Sequence, residues 1–277
     1  MSKPRFAREP IAALARQAHA LLVRVRDSRW PGFEPPAVPR PAPPPKAAAA
    51  PATPSARRSP RPTAAPAGAP MPAGAPLLAE PHPWRSLDEI AQAVSSCTKC
   101  PLHASRAHAV PGEGSPKPRL LFVGEAPGAD EDRLGRPFVG AAGQLLDRMI
   151  AAMGLARGDV FIANVLKCRP PGNRNPLPEE VSCCLPYLRA QIELLAPEIV
   201  CTLGKHATQA LLGVKTPISA LRGKFLPLGG AQVMPTFHPS YLLRTPADKK
   251  RAWEDLQLVM KRLGLPEPAA PPARENA

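Results

Sequence analysis

Four short apolar runs constrain this chain most: 119–125, 160–166, 198–203 and 232–237. Runs so brief and so uniformly apolar suit strands buried on both faces, as in a parallel sheet. The stretches between them have helical period. At 141–153, Leu145, Leu146, Met149, Ile150 and Met153 share one face. The stretch 178–195 opens with Glu179 and Glu180, which favour the positive end of a helix. Two further helices are predicted at 205–212 and 248–263. Strands alternating with helices predict an α/β fold over 86–265, a three-layer α/β/α sandwich around a central four-stranded parallel sheet. Ligands of such sheets bind just beyond the carboxyl ends of the strands.

The preceding segment is of another kind. Residues 1–85 carry 20 of the 41 prolines and an alanine run at 47–50. With little to bury, this Pro/Ala-rich arm is expected to be disordered and to lean toward polyproline II. It holds 13 Lys and Arg against 4 Asp and Glu, or +9, which leaves +5 of the total +14 for the rest. A basic arm of this kind is either a solubilising linker or a tether for a polyanion such as nucleic acid. Within it, Ile11, Leu14, Ala15, Ala18, Leu21 and Leu22 follow a helical period near 10–26, beside Arg16, Arg24 and Arg26. That island reads as a short docking helix or a nucleic-acid tether; an organelle transit peptide fits poorly with Glu9 and Asp27. Residues 266–277 are expected to form a disordered tail. No run approaches the length of a membrane span, and no secretory signal is visible. Six cysteines without that signal suit a reducing cytoplasm.

Four of those cysteines carry a chemical signal. Cys97 and Cys100 form a Cys-x-x-Cys pair, and Cys168 and Cys184, with fifteen residues between them, complete a four-sulfur set. Such a set binds zinc or an iron–sulfur cluster, or else its members are ordinary buried thiols. Polar residues also fall where the predicted strands end. Gly124-Glu125-Ala126-Pro127-Gly128 follows the first strand, Asn164 lies late in the second, and His238 follows the fourth. Singly these read as a tight reversal, a satisfied core amide and a capped turn. Converging on one rim, they suggest a crevice that reads a heterocycle through an amide, an imidazole and exposed backbone N–H groups.

The strings GEAPGADED at 124–132, GRPFVGAAGQLL at 135–146, NVLKCRPPGNRNP at 164–176, CLPYL at 184–188 and HPSYLLR at 238–244 resemble a family 4 uracil-DNA glycosylase. This is the iron–sulfur branch of the uracil-DNA glycosylase superfamily. The resemblance covers roughly residues 90–264 and implies a repair enzyme that releases uracil from DNA and leaves an abasic site. It implies a [4Fe–4S] cluster on Cys97, Cys100, Cys168 and Cys184, with Cys183 and Cys201 as packing residues. Phe138 matches the position that stacks on the extruded uracil. Asn164 matches the residue that reads its N3–H and O4, and His238 the donor to O2.

The uracil contacts are completed, on the same likeness, by Gly124, Glu125 and Ala126, with Glu125 a candidate for placing water or the sugar. Leu242 or Leu243 is then the wedge that fills the emptied stack, and Arg244 grips the DNA backbone. Lys167 and Arg169, beside Asn164, either meet phosphates or are solvated surface charge. Relative to the superfamily's first family, Ala126 stands where an aspartate positions water and Gly128 where a tyrosine blocks the thymine methyl. Thymine exclusion is therefore expected from pocket shape near Gly128 and Phe138. Asp130, Glu131 and Asp132 read as a solvated acidic turn. The related branch that captures uracil-DNA covalently uses a histidine in an insert after the second strand, and residues 165–172 carry none. A non-enzymatic DNA-binding or polymerase-associated module would have no need of Phe138, Asn164 and His238 together. The expected protein is a monomer, associated with the nucleoid, whose arm contacts DNA or a repair or replication protein.

Overall fold

The computed structural model describes residues 82–266. The expected arm with its short helix lies outside the described residues except for 82–85, and so does the expected tail beyond 266. In chain order the main elements are α1 (Leu87–Ser95), β1 (Glu113–Gly114), β2 (Leu120–Gly124), α2 (Ala129–Leu134), α3 (Ala141–Ala152), β3 (Phe161–Asn164), α4 (Pro178–Leu195), β4 (Ile199–Leu203), α5 (Lys205–Leu212), α6 (Ile218–Leu221), β5 (Leu226–Leu228), β6 (Ala231–Thr236), α7 (Pro239–Arg244) and α8 (Lys249–Leu263). Trp84 already belongs to the fold, its ring centroid 4.8 Å from that of Tyr187 on α4.

The sheet runs β1-β3-β2-β4-β6-β5. The four expected strands, β3, β2, β4 and β6, pair in parallel. The expectation of four strands is corrected to six, because β1 and β5 add antiparallel edges. These are two and three residues long, too short to show any period in sequence. They also cover the sheet margins, which limits edge-to-edge pairing with other chains. Pro235 fits in β6 because β5 reaches only to Val233, so the missing N–H falls where the strand is already an edge.

Alternation along β2 builds the three layers. Leu120 and Phe122 face a core with Leu146 and Ile150 of α3 and Leu256, Val259 and Met260 of α8. Leu121 and Val123 face the opposite core, with Leu188, Ile192 and Leu195 of α4 and Ala207 and Leu211 of α5. Each strand is thus apolar on both sides, as its unbroken run required. Among the described residues no helix is long and apolar enough to cross a membrane.

Candidate functional site

At the carboxyl ends of β2, β3, β4 and β6 lies a cleft of about 830 Å³, lined by Phe138, Asn164 and His238 together. Glu125, Ala126 and Gly128 line it as well. The Phe138 and His238 ring centroids stand 5.7 Å apart. The three loops expected to meet do meet.

Asn164 is the last residue of β3, in register with Gly124 of β2. Pairing continues past the strand ends, where Val165 N–H donates to Gly124 O and Leu166 N–H to Glu125 O, each at 3.0 Å. The turn at 124–128 is therefore fixed against Asn164. The carboxamide is buried, and its Oδ1 has no hydrogen-bond partner among the described residues. A buried acceptor left so costs about 1–3 kcal/mol. Its neighbour Gly124 leaves the necessary room: a Cβ there would lie 2.3 Å from Asn164 Oδ1 and 2.5 Å from Phe138 Cζ.

Phe138 has φ 50°, a left-handed conformation that a non-glycine residue adopts at a cost of about 1–2 kcal/mol. Its surroundings hold it there. Arg157 donates to Pro137 O at 2.5 Å and to Phe138 O at 3.3 Å, and is itself held by Asp147 and Glu113. Burial works against the Glu113 carboxylate, but Arg136 and Arg157 outweigh it and keep it below the usual range. Gly143 on α3 admits the Phe138 carbonyl, which a Cβ there would approach to 1.9 Å.

His238 caps the N-terminus of α7. Its Nδ1 accepts the Ser240 N–H at 3.1 Å and lies 2.8 Å from Ser240 Oγ. Burial, reinforced by Arg244 and opposed by Glu131, pulls the imidazole down from 6.5 to about 4. The ring is neutral at physiological pH with Nδ1 accepting, so the remaining proton sits on Nε2 as a donor.

Glu125 lines the cleft half-buried, its carboxyl raised by burial and opposed by His206 at the start of α5. The solvated acidic turn needs correction. Only Asp130 is exposed, whereas Glu131 and Asp132 are buried. Glu131 Oε2 accepts the Gly128 N–H, and Oε1 accepts the Val139 and Gly140 N–H groups at 2.8 and 2.9 Å. One carboxylate thus ties the loop after β2 to the loop carrying Phe138. Asp132 accepts the Ala107 N–H in the same way. A run of three acidic residues conceals this; the glycine followed three residues later by glutamate was the available signal, since that spacing opens helices.

The expected DNA contacts divide. Arg244 lines the cleft, and Leu243 is 40% exposed beside it. Leu242 is only 1% exposed, packed with Leu145, Phe237 and Ala252, so it cannot be the wedge. A six-residue helix turns one of two adjacent leucines inward, and the sequence did not show which. Arg169 is half-buried, with Nε donating to Asn173 Oδ1 at 2.8 Å. Lys167 is corrected from a phosphate contact to an interior residue. It is 1% exposed, and its ammonium donates to Asn164 O at 2.9 Å and Gln191 Oε1 at 2.6 Å. Burial lowers it to about 7, against the opposing pull of Cys184. Arg174, Lys205 and Arg251 line the cleft without having been singled out.

The cysteines gather beside that cleft, outside its lining, packed against Ala126. Cys100, Cys168 and Cys184 share one buried group with Leu102 and Leu166, and Cys97 borders the neighbouring core. Burial raises the Cys100 thiol, and the charges of Cys168, Cys183 and Cys97 add to this. Cys184 is pushed up to about 11, again by burial, although Lys167 opposes it. Several donors face the sulfurs: Arg106 Nη1 lies 3.1 Å from Cys168 Sγ, Leu102 N–H points to Cys100 and Lys167 N–H to Cys184. Among the described residues no three His, Cys, Asp or Glu side chains stand close enough to hold a single metal ion. Cys183 is half-buried and donates to Lys99 O, while Cys201 is fully buried in the core.

Comparison with known proteins bears on both sites. A family model described as the uracil DNA glycosylase superfamily matches residues 111–257. A type-4 uracil-DNA glycosylase of Thermotoga maritima is 47% identical over 167 residues, 60% of this chain and 87% of the relative. One from Archaeoglobus fulgidus is 42% identical over 191 residues, 66% of this chain and 96% of the relative. A type-5 uracil-DNA glycosylase of Thermus thermophilus is 36% identical over 155 residues, covering 48% and 70% respectively.

Proposed function

The chain belongs to the uracil-DNA glycosylase superfamily, and on that premise we infer that it hydrolyses the N-glycosidic bond of deoxyuridine in DNA. It releases uracil, leaves an abasic site and so opens base excision repair. One observation carries the residue-level reading: Phe138 from a loop, Asn164 from the end of β3 and His238 from the cap of α7 line a single cleft beyond the sheet.

A base inside a duplex is out of reach, so the nucleotide rotates out of the stack into the cleft. The Phe138 ring, already fixed by Arg157 and Gly143, receives it face-on, a contact worth about 1–3 kcal/mol for any base. Selection falls to Asn164. Its unpartnered Oδ1 accepts uracil N3–H and its amide N–H donates to O4, whereas cytosine offers the opposite polarity at both atoms. As the glycosidic bond breaks, negative charge gathers on the departing base. The Nε2–H of neutral His238 meets O2 there, an already oriented donor that strengthens with the charge. Glu125 faces the same cleft and orders the attacking water or the sugar. Arg244, Arg169 and the cleft-lining Arg174, Lys205 and Arg251 suit backbone phosphates, with Leu243 as the wedge.

The cysteine centre suits a [4Fe–4S] cluster held by Cys97, Cys100, Cys168 and Cys184. The donor set is what suits it: four thiols whose charges influence one another, with N–H donors aimed at them that would offset thiolate charge. Bound there, a cluster would join the 97–100 segment to the residues following β3 and to α4 through the four cysteines; the hydrolysis needs no electron from it. Anaerobically purified protein should contain about four iron and four sulfide per chain. Stoichiometric zinc measured in their place would overturn this assignment.

Incubation with uracil-containing single-stranded and duplex oligonucleotides should yield alkali-labile strands, and intact strands would remove the proposed activity. The pH profile tests His238 in the same assay. The residue binds fewer protons folded than unfolded between about pH 4 and 6.5, so its contribution to stability is complete above 6.5 and is lost as pH falls through about 4. Excision should therefore run without an inflection near 6.5, and an inflection assignable to His238 at that pH would contradict the neutral donor.

A further inference from the structure

Lys167 stands apart from the other basic residues near the cleft. A buried ammonium is costly, and a position that only needed filling would be occupied more cheaply by an apolar side chain. Here the ammonium curls back three residues to the carbonyl of Asn164, at 2.9 Å, and also donates to Gln191 Oε1 at 2.6 Å. Gln191, on α4, uses its own amide N–H to hold Pro111 O at 2.7 Å. The Lys167 main chain is engaged on both sides, its carbonyl accepting Val110 N–H at 2.8 Å and its N–H directed to the Cys184 sulfur. One residue thus joins the end of β3, helix α4, the segment before β1 and the cysteine centre.

We propose that Lys167 is a positioning residue for uracil excision, a strut that sets the Asn164 carboxamide in the cleft against the cysteine-bearing side of the fold. This rests on the assignment of Asn164 as the residue that reads the base. Asn164 O is held by Lys167 from one side, and the β2 pairing at Gly124 holds the following residue from the other. The carboxamide between them has no partner of its own among the described residues, so its direction depends on how its backbone is fixed. Lys167 thereby joins the cysteine centre to the base-reading residue, beside the contact that both already share through Ala126.

Lys167→Met keeps the length of the side chain and removes the ammonium. In the full-length holoprotein, single-turnover excision should fall about 100-fold, the scale of a misplacement near 1 Å. The visible absorbance of the cluster and the affinity for undamaged duplex should stay at their wild-type values. A double-mutant cycle separates positioning from general damage. Added to Asn164→Ala, Lys167→Met should cost less than about threefold, because the group it positions is gone. A full 100-fold loss on that background would overturn the proposal, as would wild-type excision by Lys167→Met alone. If Lys167→Met loses the cluster absorbance, Gln191→Met runs the same cycle by removing one of the two acceptors. A loss that disappears on the Asn164→Ala background supports the strut, and an additive loss or none overturns it. Undiminished excision by Asn164→Ala would defeat the base-reading assignment as well, a result distinct from failure of the strut alone.

Discussion

Asn164→Ala should lower uracil excision about 10³-fold while leaving the affinity for undamaged duplex within about twofold. That loss corresponds to about 4 kcal/mol of transition-state stabilisation, well above the net worth of an ordinary hydrogen bond. The excess has a physical origin. The carboxamide is buried and its Oδ1 lacks a protein partner among the described residues, and in the proposed complex the everted base satisfies it. Without the amide, uracil N3–H and O4 enter a desolvated cleft and find nothing. Single-turnover kinetics with a uracil-containing duplex, beside binding to the same duplex without uracil, measures both effects. Equal losses in the two would make Asn164 a residue of the fold.

Gly124→Ala should be nearly as damaging, with excision down about 100-fold or more, although nothing polar is removed. The added methyl would sit 2.3 Å from Asn164 Oδ1 and 2.5 Å from Phe138 Cζ. Both are ends of side chains and can move, so the sheet survives; but they are the two groups proposed to hold the base, and they move out of position. Circular dichroism and cluster absorbance should match the wild type while uracil-dependent binding is lost. A variant that excises at the wild-type rate would show that the pocket is not built on this close approach. Gly204, with φ 87° and a Cβ that would meet His238 Cβ at 3.0 Å, marks the same crowding from the other side of the cleft.

Much of this was visible in the chain itself, for definite reasons. The four parallel strands were legible because strands buried on both faces leave unbroken apolar runs, as in LLFVG and IVCTL. Helices at 178–195 and 205–212 were placed to the residue, since their ends carry acidic residues or glycine. The edge strands were not legible, because a pair such as Glu113–Gly114 has no pattern to show. The site followed the same division. Asn164 and His238 stood out as polar residues at or just beyond strand ends, and Phe138 through a string that resembles a family. Lys167 and Glu131 did not, because a charged residue in sequence defaults to the surface, and only the folded arrangement of carbonyls and N–H groups reveals an interior partner. Of the two adjacent leucines, helical phase alone decided that Leu242 packs inward and Leu243 remains free.

The placement of His238 just after β6 has a bearing on biosynthesis. Phe138 and Asn164 leave the ribosome long before it, but the crevice has no far wall until β6 zips onto β4 and α7 winds behind it. With His238 as the proposed donor to uracil O2, a nascent chain that stops before β6 and α7 should excise no base, and so should generate no abasic lesions.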